Sequence, residues 1–123
     1  MHGFANSTCY PWGLAYVIRE LIALGTVVVT GSGNSVGHPK GYPALFGSPN
    51  NRNYIPGLIV VGSVFGNGGR HLKFSEADWL SCYAAGSAVM VPEPLRGFGN
   101  DAYTHGSGTS FGKVVSFLAI TGN

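Results

Sequence analysis

The sequence predicts an α/β fold built on a buried parallel sheet. Three observations carry the prediction: an amphipathic helix that runs straight into an apolar strand, a second apolar strand farther on, and a Gly- and Ser-rich loop that opens a last apolar helical segment. A helix feeding directly into a strand with no polar alternation is the unit of a parallel sheet whose two faces are covered.

The first helix is read from Leu14, Val17, Ile18, Leu21 and Ile22, spaced at i, i+3, i+4, i+7 and i+8, with Arg19 and Glu20 on the opposite face. Pro11 is tolerated near its start and Gly25 suits its C-terminal end. Thr26 to Thr30 then reads as a fully buried strand, which empties into the loop Gly31-Ser32-Gly33-Asn34-Ser35. Loops at the carboxyl ends of such strands are where open α/β sheets place their ligands. Pro39, Pro43, Pro49 and Pro56 forbid a sustained helix between Val36 and Gly57, so a long irregular connection is expected there.

A second buried strand is expected at Leu58 to Val61, stopped by Gly62, followed by a turn at Gly66 to Gly69 and a short extended piece from Leu72 to Ser75. Trp79 to Ala84 reads as a third strand with Gly86 ending it, and Ala88 to Val91 as a short one before a surface hairpin around Gly97 to Tyr103. After Ser110, Val114, Val115, Leu118 and Ala119 recur at helical spacing.

Length and composition bound the function. A chain of 123 residues holds one core and is short for two. Only 10% of its residues are charged, and its net charge of +2 comes from scattered Lys and Arg with no basic stripe, which argues against a nucleic-acid partner. No run approaches the roughly 18 apolar residues of a membrane-spanning helix, so no membrane partner is expected. Cys9 and Cys82 are too few for a disulfide framework and not spaced as a metal site, which leaves either one bridge or two buried thiols. No metal ligand set and no cofactor motif is read from the chain.

The stretch that carries chemistry is Gly106-Ser107-Gly108-Thr109-Ser110-Phe111-Gly112. It places Ser110 at or near a helix N-terminus, where unpaired N–H groups and the positive end of the macrodipole stabilise a developing negative charge. The stretch alone also allows Ser110 or Thr109 to be no more than an N-cap. Gly108 to Gly112 matches the G-x-S-x-G elbow of α/β-hydrolases in letters, but that elbow needs a buried strand before it and an acid and His after it. Asp101 to His105 is a poor buried strand, and no His, Asp or Glu follows Ser110. A dinucleotide loop starting at Gly31 fails too, because Val36 stands where the third glycine belongs and Pro39 and Gly41 block the helix.

Taken together and in order, Val27 to Ser35 (V-V-V-T-G-S-G-N-S), Gly41-Tyr42-Pro43-Ala44, Leu58 to Val64, Phe74-Ser75, Ala84-Ala85-Gly86 and Ser107-Gly108-Thr109-Ser110-Phe111 resemble the second half of the catalytic domain of subtilisin-like serine proteases. The resemblance runs from about Leu14 to Phe111. It implies a partial doubly wound parallel sheet of the subtilisin type over residues 1–123, truncated on its N-terminal side, with an edge and an apolar helix face left uncovered. It implies peptide-bond hydrolysis through an acyl-enzyme, with Ser110 as nucleophile and Asn34 as the side-chain donor to the oxyanion. Gly31, Ser32 and Gly33 would form part of a wall of the substrate pocket, and Thr109 would tie down the turn before the helix.

The same resemblance implies a peptide or protein substrate, a secreted location, and calcium in full-length relatives, although no carboxylate cluster here places a calcium site. The family's Asp and His precede the region matched, so activity would need the upstream half of the domain. His2 and His105 lack the family's His context, His38 and His71 lie in glycine-rich loops, and all four are read as surface residues, with Asp101 and His105 a poor local pair. The chain departs from the family at Gly112, Lys113, Val114 and Leu118. Lys113 puts a charge in a turn that is usually buried, at a cost unless it snorkels to water. A scaffold that keeps the fold without the activity, a remnant or an interaction module, is the alternative.

Overall fold

A computed structural model describes residues 9–69, 73–92 and 103–122. Helix α1 spans Trp12–Ala23, beginning where the sequence places it. Its end is set by Gly25, at φ +83°, whose N–H reaches the Ile22 carbonyl at 2.9 Å while the Thr26 N–H reaches Leu21, also at 2.9 Å. This paired closure needs a left-handed residue, which glycine supplies at low cost.

Three parallel strands follow in spatial order β1-β2-β3: β1 at Val29–Gly31, β2 at Ile59–Phe65 and β3 at Cys82–Ser87. Val29 lies opposite Ile59 and Gly31 opposite Val61, while Val61 lies opposite Cys82 and the register slips by one residue between Val64 and Phe65. A single 3-10 turn, Ala44–Gly47, interrupts the long connection between β1 and β2, which the prolines otherwise keep irregular. Strands β4, Val89–Pro92, and β5, Tyr103–Gly106, form an antiparallel pair, and helix α2 spans Thr109–Thr121.

The structure corrects four expectations about these elements. Strand β1 is shorter than Thr26 to Thr30 and half-buried on both sides, not fully buried, because among the described residues it is the sheet edge. Gly62 does not stop β2, and Gly86 does not end β3. Both lie inside strands because their neighbours leave no room for a side chain. A Cβ on Gly62 would run into the Tyr83 ring, and one on Gly86 would sit 2.7 Å from the Gly108 carbonyl oxygen and 2.8 Å from the Gly112 nitrogen. Strand β3 accordingly starts at Cys82, with Trp79 and Leu80 in the turn before it packing on the core. Cys9 and Cys82 are not bridged, and Cys82 approaches Ser116 with Sγ 3.6 Å from Oγ.

The two sides of the sheet are packed differently. On one, Ala15 and Ile18 of α1 meet Ala44, Phe46, Ile55, Leu58 and Val60 in a cluster whose largest member, Phe46, is wholly buried. Neighbouring side chains alternate along a strand, so Val61 and Ser63 face the other way, toward α2. There α2 presents Thr109, Gly112 and Ser116, all buried, while Val114, Val115, Phe117, Leu118 and Ile120 are exposed. The apolar spacing expected after Ser110 is thus real, but the face it marks is the outer one. A Cβ on Gly112 would lie 3.2 Å from both the Gly62 and the Ala84 carbonyl oxygens, so the helix rests almost on the sheet backbone. The predicted extended piece ends in Ser75, which bridges Gly37. Its start at Leu72 and most of the hairpin expected around Gly97 to Tyr103 lie outside the described residues.

Candidate active site

Two loops meet at the top of the sheet. The first leaves β1 at Gly31 and carries Ser32, Gly33 and Asn34. The second leaves β5 at Gly106 and enters α2. Gly108 is the N-cap of α2 and Thr109 the first helical residue, so Ser110 is the second. Neither Thr109 nor Ser110 is therefore the cap, and no side chain of the N-cap residue makes a capping bond.

The cap comes instead from across the chain. Asn34 Oδ1 accepts the Thr109 N–H at 3.0 Å and the Thr109 hydroxyl at 3.2 Å. Thr109 Oγ1 in turn accepts the Gly33 N–H at 3.2 Å. A backbone N–H only donates, so the carboxamide atom facing it must be the oxygen. With two donors on Oδ1, the two hydrogens of Nδ2 are left for another acceptor. The carboxamide lies against Gly108, where a Cβ would stand 3.5 Å from Nδ2. Gly31 is needed on the same ground, since a Cβ there would come within 2.6 Å of Thr109 Oγ1.

The first turn of a helix has unpaired N–H groups. Here the Thr109 N–H is taken by Asn34, and that of Phe111 by the Gly108 carbonyl at 3.1 Å. The Ser110 N–H stays at the mouth of the helix beside its own hydroxyl.

Ser75, which the sequence marks only as part of an extended piece, anchors the first loop. It is buried, its hydroxyl donates to the Ser35 carbonyl at 2.8 Å, its carbonyl accepts the Ser32 hydroxyl at 2.8 Å, and its N–H reaches the Gly33 carbonyl at 3.1 Å. Ser107 supports the second loop, with its hydroxyl accepting the Ala88 N–H at 2.8 Å. Ala88 holds φ +55°, a left-handed conformation unusual for a residue with a Cβ. No spacing rule marks either serine, because each acts on backbone far away in sequence.

A cleft of about 510 Å³ opens beside these loops, floored by Gly31, Ser32, Gly33 and Asn34 and reached by Thr109 and Ser110. Its far wall is the apolar face of α1. Asn34 is exposed, Ser110 half-buried, and Ser32 and Thr109 buried. Ser32 therefore supports the wall through its bond to Ser75 and does not offer its hydroxyl to the cleft. No His, Asp or Glu among the described residues lines this space. His38 and His105 are exposed, the latter on β5, while His2, His71 and Asp101 lie outside the described residues. Among the described residues no three His, Cys, Asp or Glu gather as a metal site.

No protein-family model matches the sequence, and no curated protein matches it. Solved structures do. The chain is similar to the Prenylagaramide maturation protease PagA at 17% identity and TM-score 0.65, over 98% of this chain and 43% of that one. It is similar to the self-cleaved protease domain of PatA at 19% identity and TM-score 0.67, over 92% and 38%. It is similar also to the Patellamide maturation protease PatG at 19% identity and TM-score 0.66, over 89% and 31%. The chain thus spans less than half the length of each. At such identities the likeness is one of fold, and with the parallel sheet, the two loops and α2 in this arrangement the chain has a subtilisin-like α/β fold.

Proposed function

We propose that the chain is the nucleophile-bearing part of a serine-type endopeptidase. Ser110 Oγ attacks a peptide carbonyl, and the oxyanion that forms is held by Asn34 Nδ2 and the Ser110 N–H. Collapse expels the amine and leaves an acyl-enzyme that water hydrolyses. The observation that carries this reading is the pair of hydrogen bonds that the Thr109 N–H and hydroxyl donate to Asn34 Oδ1, which fixes the orientation of the carboxamide beside the residue that precedes Ser110. Gly31, Ser32 and Gly33, held by Thr109 and Ser75, then form a rigid wall against which a peptide or protein substrate lies.

A triad also needs a base and an acid that orients it. We assign these to the upstream half of a longer domain, and the whole protein to a location outside the cell. The fold shared with two maturation proteases and a self-cleaved protease domain supports the assignment of reaction class. The test is reconstitution: mixed with the Asp- and His-bearing half of a subtilisin-like domain, the chain should hydrolyse a peptide. Ser110→Ala should abolish that hydrolysis. Asn34→Ala should lower kcat, by a factor of about 10²–10³ if the donor matters as it does in subtilisin. Equal turnover by the Ser110→Ala chain would remove the proposal. The cleft's want of any carboxylate or imidazole among the described residues favours a second reading, a non-catalytic scaffold. It predicts no hydrolysis in the mixture and no effect of either substitution.

A further inference from the structure

Strand β1 is paired on one side only among the described residues. The Val28 carbonyl accepts the Ile59 N–H at 3.0 Å and the Ser32 N–H reaches the Val61 carbonyl at 2.9 Å, so the even-numbered residues turn their peptide groups toward β2. Peptide groups alternate in direction along a strand. Val29 and Gly31 therefore aim their N–H and C=O groups at the open edge, and such a row is a template for a further strand. The edge lies at the bottom of a trough. One wall is the cleft face of α1, with Leu14, Val17 and Leu21, and the other is a groove of about 370 Å³ formed with Val114 and Phe117 of α2. Leu21, Val28, Val29 and Lys113 border both spaces, which makes the trough continuous across the edge. Val17, Leu21, Val27, Val114 and Phe117 are all exposed, although a parallel sheet ordinarily has both faces covered. Lys113 is the one charged group bordering the groove. It is half-buried, and no carboxylate among the described residues lines either space.

We infer that this trough is a docking surface for one extended strand, apolar on both faces and carrying a single carboxylate that pairs with Lys113. The inference rests on the proposed function in taking that strand from the upstream half to which the base and the acid are assigned. The Val29 and Gly31 backbone groups supply affinity, as in strand addition generally, and the walls supply selectivity. With α1 on one side and α2 on the other, both rows of the strand's side chains meet apolar surface. A strand seated there takes the Lys113 ammonium farther from water, which is costly unless a counter-charge arrives with it. That requirement argues against a second copy of this chain. A twofold contact pairs a patch with itself, and this patch brings another lysine and no carboxylate. The similar solved structures hold more chain from which such a strand can come, since this chain spans less than half the length of each. Seated along β1, the strand fills the cleft beside α1 and leaves the end at Gly33 and Asn34 to the substrate.

Short segments displayed on phage are the probe, all Val, Ile or Leu except for a single position, moved along the segment, that holds Asp, Asn or Lys. The full chain, its fold verified by circular dichroism, should retain segments with Asp at one position. The synthetic peptide so chosen, flanked by Gly and Ser, should bind about tenfold or more tighter than its Asn counterpart, the effect of leaving a partly buried charge unpaired. Lys113→Glu should reverse the choice from Asp to Lys at that same position, and Lys113→Met, which keeps the stem, should abolish it. The bound peptide should slow hydrogen exchange of the Val29 and Gly31 amides by about tenfold or more. Equal retention of Asp, Asn and Lys segments, a choice unmoved by Lys113→Glu, or unchanged exchange at Val29 and Gly31 overturns the docking surface. So does protection of those amides in the chain alone that grows with its concentration, which gives the edge to a second copy. A folded chain that retains no segment overturns it as well. None of these readouts involves Ser110, so the reconstituted hydrolysis described above judges the nucleophile separately.

Discussion

The two sides of the parallel sheet solve the same problem by opposite means. On the α1 side, burial is a matter of volume: Phe46, Ile55 and Val60 are each at most 2% exposed and fill the space between helix, 3-10 turn and strand. On the α2 side, burial is a matter of closeness. Gly112 and Ser116 let the helix approach, Gly86 lets the Gly108 backbone pass, and Val114, Val115, Phe117, Leu118 and Ile120 of α2 are exposed. The comparison shows why the candidate site lies on the second side. A helix set almost on the sheet backbone brings its first turn, with Ser110, level with the loop that leaves β1. A layer of Leu or Phe between them would lift that turn away from Asn34.

Four substitutions test the contrast, beginning with the largest effect. Phe46→Ala should destabilise the fold by about 3–5 kcal/mol, the cost of a large cavity in a filled core. Urea unfolding measures it, and a loss under about 1 kcal/mol would show that the α1 side is not packed by volume. Gly86→Ala should cost about 1–3 kcal/mol by overpacking, because a single methyl meets the Gly108 carbonyl and the Gly112 nitrogen. It should also slow the reconstituted hydrolysis by moving the start of α2, a second readout that no substitution on the α1 side should share at equal stability.

Thr109→Val keeps the shape while removing the hydroxyl that joins Gly33 to Asn34. Leaving the Gly33 N–H unpaired should cost about 1–3 kcal/mol, toward the lower end of that range because the Thr109 N–H still holds Asn34. An unchanged unfolding midpoint would mean that the two loops are not joined through this residue. The smallest effect is expected at Leu118, which is 45% exposed on the outer face of α2. Leu118→Lys should change stability by no more than about 0.5 kcal/mol and make the chain more soluble by breaking an exposed apolar face. A large loss on that substitution would show that the outer face of α2 is packed after all.

Much of the architecture was legible in the residues. The spacing from Leu14 to Ile22 and the glycine at 25 give α1 both of its ends, and the apolar runs around Val28 and Val60 give the first two strands in their parallel order. Less legible were the glycines inside strands. Gly62 and Gly86 read as terminators because glycine usually marks a turn, whereas here each is the room another element needs. Of the candidate site, the loop from Gly31 to Asn34 and the helix start beside Ser110 were both visible in the residues, and the structure brings the two together through Thr109. Ser75 was not visible as their anchor, since its role consists of bonds to backbone at Ser32, Gly33 and Ser35.

By itself the sequence determined which residues share a face and where the helices and strands lie, because periodicity and local conformational preference are properties of neighbours along the chain. Only the tertiary structure decided which face of α2 turns inward, and that Asn34 and Thr109, 75 residues apart, share hydrogen bonds. The physical reason is that close approach belongs to two surfaces at once. Gly112 reads locally as a weak helix residue, and becomes the point of contact only when the carbonyls of Gly62 and Ala84 lie beneath it.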